Sequence, residues 1–178
     1  MSALALVHTA LGSLALGSGA LVLLRRKGDR WHRWAGRVYG TSMGALCVLA
    51  FGLRDSTPFF QGYGMFHVAA VVSLGTVTLG VLAVRRRREG WLEAHFQWMS
   101  WSYIGLLMAT GGHVMRPLFL GLHRGVGLKA PVSMGLAVAA VWVAPPLVGA
   151  WWIARRAPAW RALGPRGSAP AAGSTEAA

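Results

Sequence analysis

Long apolar blocks alternate with short clusters of arginine along this chain, and that alternation restricts it to very few folds. The blocks cover residues 3–24, 38–53, 62–84, 96–115 and 132–154. None has the period-two pattern of a half-buried strand or the broad polar face of a soluble helix. A run of about 20 apolar residues crosses the hydrocarbon of a bilayer as an α-helix, which satisfies every backbone N–H and C=O internally. Composition points the same way: charged residues make up 13% of the chain, against about 25% in soluble domains.

The first block, in MSALALVHTALGSLALGSGALVLLRRKG, has its basic residues after the apolar run instead of before it. It therefore reads as a span and not as a secretory leader. The second block is short and is expected to begin earlier, with Trp31, Trp34 and Arg37 reaching the interface. The fifth contains Pro145-Pro146, which are expected to kink or interrupt it. The fold class is thus all-α, a polytopic membrane bundle of about five transmembrane helices with spans one to four as its core. Residues 1–156 form the bundle, and residues 157–178, rich in Pro, Ala, Gly and Ser, form a disordered cytoplasmic tail.

A net charge of +13 invites a nucleic-acid reading, but the cations lie in loops between spans and build no basic helix. Arg25, Arg26, Lys27, Arg30, Arg33 and Arg37 follow span one. Arg85 to Arg88 follow span three, and Arg155, Arg156, Arg161 and Arg166 follow span five. The other loops hold Arg54, Arg116, Arg124 and Lys129. The positive-inside rule then gives a multi-pass protein of the cell membrane with N-terminus out and C-terminus in. Trp31, Trp34, Trp91, Trp98, Trp101, Trp151 and Trp152 would form the inner aromatic belt, and Phe59, Phe60 and Tyr63 the outer one.

On this topology the histidines fall into two layers. His8, His67 and His113, on three different spans, share a depth in the outer half of the membrane. His32 and His95 sit at the cytoplasmic mouths of spans two and four, and His123 lies in an outer loop. His95 and His113 are about five helical turns apart and so point the same way, roughly 27 Å from one another. Imidazoles at membrane depth mark a functional site by default. No carboxylate lies within a span: Asp29, Asp55, Glu89 and Glu93 are in loops or at boundaries, and Glu176 is in the tail. That set disfavours hard cations and carboxylate-driven carriers, and suits haem iron, copper or zinc. No nucleophile–base set, phosphate loop or HExxH motif supports hydrolysis.

Two site readings follow. In one, b-type haem lies between facing imidazoles, using two of His8, His67 and His113 outside and His32 with His95 inside. The spacing along span four is wide for two haems in direct contact. In the other, His8, His67 and His113 form one copper or zinc site. Arg116, three residues after His113, would offset anionic groups on a ligand such as haem propionates. The bland alternative is that each histidine bonds a neighbouring helix or anchors in the interface. Met43, Met99 and the single cysteine, Cys47, read as core filling. Gly36, Gly40 and Gly44 form a small-xxx-small row suited to close helix packing.

The segments HRWAGRVYGTSMG (His32 to Gly44), FHVAAVVSLGTVTLG (Phe66 to Gly80) and HFQWMSWSYIGLLMATGGHVMR (His95 to Arg116) carry a family resemblance. Together, in this order, they resemble a bacterial family of multi-span membrane proteins, domain of unknown function 2306. The resemblance implies a helical bundle in a bacterial inner membrane and no settled activity. The pattern is more loosely similar to small membrane cytochromes b. The expected function is a His-ligated haem or metal-binding membrane protein with an electron-transfer or respiratory-chain accessory role. A small proton or metal-ion carrier, and a cofactor-free structural subunit, are the alternatives. The expected partners are the lipid bilayer and a membrane complex or a second copy, with no nucleic acid.

Overall fold

The computed structural model describes residues 3–53 and 63–163. Six α-helices follow one another: α1 (Ala3–Leu24), α2 (Arg30–Ala50), α3 (Met65–Arg86), α4 (Trp91–Leu120), α5 (Ala130–Val138) and α6 (Ala144–Leu163). The turns after α1 and α3 are short, so their flanking helices must lie antiparallel. Gly28 (φ 83°) and Gly90 (φ 71°) supply the left-handed backbone that these turns require. Asp29 caps α2 by accepting the His32 backbone N–H at 2.6 Å, which starts that helix eight residues before its apolar block.

α1 packs on α2, α2 on α3 and α3 on α4; α4 closes the ring against α1 and carries α6 on its outer side. The core draws on all four of the first helices: Ala15, then Tyr39, Met43, Leu46 and Cys47, then Ala70 and Val77, then Leu106. Met43 and Cys47 thus fill the core as expected. Tyr39 Oη and Ser102 Oγ meet at 2.7 Å inside it, a link across the ring between α2 and α4. The Tyr103 hydroxyl donates to the Leu16 carbonyl at 3.2 Å. A second cluster, Phe96, Ile104 and Ile153, seats α6 on α4.

Three helical stretches are long and apolar enough to cross a membrane: Ala3–Leu24, Phe66–Arg86 and Ala130–Ala162. α2 and α4 have the length, 21 and 30 residues, but bring the polar groups of the bundle between these apolar neighbours. The last stretch passes Pro145-Pro146 without breaking. A π segment, Ala139–Val143, precedes the prolines, and the Ala144 N–H bonds the Ala139 carbonyl five residues back. The wider turn moves the preceding carbonyls away from the proline rings, which would otherwise collide with them. The expected interruption is therefore one π turn.

Two expectations need correction. A Cβ on Gly36, Gly40 or Gly44 would meet nothing within 4 Å, so this row does not seat a neighbouring helix. The close approaches lie elsewhere: Gly80 under Met99, Gly111 under Val141 and Gly149 under Ile104. Residues 157–163, expected in the disordered tail, continue α6, and the rest of that tail lies outside the described residues. So do Arg54, Asp55, Phe59 and Phe60.

Candidate functional site: paired histidines at the two ends of the bundle

The helix order puts the basic turns after α1 and α3, and the arginines in the last turns of α6, at one end of the bundle. His67 lies at the other end, at the start of α3, and both of its ring nitrogens are engaged. Nδ1 accepts the Gly64 N–H at 3.1 Å, and Nε2–H donates to the Leu53 carbonyl at 2.9 Å. Phe51 and Tyr63 flank the ring, with centroids 5.7 and 4.9 Å away. The side chain is 6% exposed. His67 therefore closes the N-terminus of α3 and ties it to the chain leaving α2, a capping role built on two backbone groups that would otherwise be buried and unpaired.

His8 of α1 is half-buried and His113 of α4 is exposed, near enough for their charges to interact. His8 Nδ1 is buried and has no hydrogen-bond partner among the described residues. Arg116 is exposed, one turn beyond His113. Among the described residues, no group of three or more His, Cys, Asp or Glu is placed to hold a metal ion. The third of the expected trio, His67, is engaged with backbone.

At the basic end, His32 of α2 has His95 of α4 and Lys27 within Coulombic reach. His32 Nδ1 is buried and has no hydrogen-bond partner among the described residues. His95 Nδ1–H donates to the Gly80 carbonyl of α3 at 2.8 Å. Gly80 makes this possible, because any side chain there would collide with Met99 of α4 and push the helices apart. The His95 ring is thereby fixed with Nε2 free. Lys27 folds back over the end of α1, donating to the Val22 and Leu23 carbonyls at 2.6 and 2.9 Å. Lys27 stood in the sequence only as one more loop cation. Its position beside the histidines depends on a turn whose path the sequence pattern does not specify. His123 Nδ1–H donates to the Leu128 carbonyl at 2.8 Å and its ring stacks on Phe119, a local loop closure.

A ring of long helices, with three stretches apolar enough to cross a membrane, defines a multi-pass membrane protein. The chain belongs to the predicted membrane protein family, domain of unknown function 2306, whose model matches residues 5–153. No curated protein and no solved structure matches it.

Proposed function

We propose that this protein is a His-ligated redox carrier of the membrane, in which facing imidazoles on neighbouring helices hold a metal centre. The observation that carries the reading is the pair His32 and His95. One ring is oriented by a backbone carbonyl through Nδ1, leaving Nε2 free; the other has a buried nitrogen without a partner. A ligating histidine typically donates its second N–H to such a carbonyl, which fixes ring and tautomer. Pairs of imidazoles suit the axial positions of b-type haem, whereas zinc sites use three or four protein ligands. His8 with His113 would provide the second pair, about five turns of α4 away. The same reading puts the basic loops on the cytoplasmic side of a bacterial inner membrane, with the N-terminus outside.

The test is a reduced-minus-oxidised absorption spectrum and a metal analysis on protein purified in mild detergent. Haem bands that fall in His32→Ala and His95→Ala but are unchanged in His67→Ala are expected. Folded protein without haem bands or stoichiometric iron, copper or zinc would overturn the reading. So would haem bands and metal content left undiminished by both changes at the basic end.

A further inference from the structure

A groove of about 260 Å3 opens between α1, α4 and α6 toward the surrounding lipid. Its walls include Leu23 of α1, Tyr103, Ile104 and Leu107 of α4, and Gly149 and Trp152 of α6. It forms because Gly149 has no side chain, which lets α6 settle onto Ile104. Along α4 it runs from Ser100 to Leu107, about 10 Å of helix. That matches the upper carbons of one extended hydrocarbon chain.

Two cations stand at the basic end of this groove. Lys27 holds the carbonyl of Leu23, a wall residue, at 2.9 Å. Arg156 lies one turn beyond Trp152, another wall residue, and interacts with Lys27 through its charge. Burial and the charge of Arg156 together lower the Lys27 pKa from its ordinary value. Two of the three ammonium protons of Lys27 have acceptors in the protein. Arg156 has no hydrogen bond or carboxylate among the described residues. Of the carboxylates at this end, Asp29 accepts the His32 N–H, Glu93 bonds Arg161 and Gln97, and Glu89 lies in the turn between α3 and α4. Arg155 adds a third cation at this rim, held over the Trp151 ring at 4.3 Å. Like charges brought together without a counter-charge, at the polar mouth of an apolar groove, match an amphipathic anion.

We infer that this groove binds one anionic phospholipid, with an acyl chain along α4 and α6 and the headgroup phosphate between Lys27 and Arg156. Charge complementarity selects the anionic headgroup, and the continuity of groove and cations selects a lipid over a free anion. No histidine lines the groove, although Lys27 also acts through its charge on His32 and His95, so lipid selectivity is read independently of any bound metal.

Native mass spectrometry of the full chain in mild detergent, titrated with dioleoylphosphatidylglycerol or dioleoylphosphatidylcholine, tests this. One phosphatidylglycerol is expected to bind about tenfold or more tightly than phosphatidylcholine, with Lys27→Gln/Arg156→Gln removing most of that preference. Val148→Trp, which fills the groove from α6, should weaken both lipids, while Arg156→Lys should retain the preference. Equal binding of the two lipids, or an unchanged preference in the double variant, overturns the site. So does displacement of the lipid by millimolar inorganic phosphate, which would mark a free-anion site. If the double variant does not fold, Val148→Trp and Arg156→Lys decide the matter by the same readings.

Discussion

The two ends of the bundle use histidine differently. At the start of α3, His67 donates one hydrogen bond and accepts another, both with backbone groups, and aromatic rings enclose it. At the basic end, His95 makes one bond to a carbonyl of the adjoining helix through Nδ1, and its Nε2 has no hydrogen bond among the described residues. Both are imidazoles near the boundary of a span, and only one has capacity left for a ligand. The depth of a histidine in a membrane helix therefore does not assign its role; the backbone groups around the ring do.

Replacing the two histidines breaks or sharpens this comparison most directly. His67→Ala leaves the Gly64 N–H and the Leu53 carbonyl without their side-chain partner and is expected to cost about 2–4 kcal/mol of stability. His95→Ala removes one bond to a carbonyl that already serves its own helix, and should cost about 1 kcal/mol. Thermal unfolding in detergent gives the ordering, and equal losses would erase the contrast between the ends.

Glycine substitutions come next. Gly149→Val forces a branched side chain against Ile104 and should destabilise by about 1–3 kcal/mol. Gly40→Ala, where a Cβ meets nothing within 4 Å, should be neutral or stabilising by up to about 1 kcal/mol. If Gly40→Ala instead proves as harmful as Gly149→Val, α2 has a partner at that face.

The buried link between α2 and α4 offers a smaller effect. Tyr39→Phe removes the 2.7 Å bond to Ser102 and keeps the ring, so a loss of about 0.5–1.5 kcal/mol is expected. It should fall equally on the bundle with and without any bound cofactor, since Tyr39 lies in the core between the two histidine layers.

The smallest effect is pH-dependent and confined to the basic end. Hydrogen bonds from Arg161 hold the Glu93 carboxyl below its ordinary value of 4.5, and the pair fixes the last turn of α6 to the first of α4. A carboxylate with a depressed folded-state pKa contributes stability above its unfolded value and loses it as pH falls through the folded one. The difference in Tm between the parent chain and Glu93→Gln should therefore be slight near neutral pH and close below 4.5. A difference that widened with acid would reverse this assignment.

The helices were largely legible in the sequence because hydropathy and turn chemistry are local. Ala3–Leu24 matches its apolar block, and the Asp29 cap explains why α2 starts ahead of its own. Pro145-Pro146 announced an irregularity, but not its form, since a π turn depends on which carbonyls the rings would strike. The glycine row of α2 had the right spacing for contact and lacks a helix beside it, because spacing describes one helix and contact needs two. Likewise, three outer histidines share one depth along the chain, and the fold turns His67 into a cap.

What the sequence by itself determined is the all-α membrane bundle, the end that carries the cations and the residues able to do chemistry. Only the tertiary structure decided which nitrogens remain free, that Gly80 anchors His95, and that Lys27 meets Arg156 beside an apolar groove. The physical reason is range. Burial in lipid is set residue by residue along the chain, whereas a hydrogen bond or a shared counter-charge depends on how helices distant in sequence settle against each other.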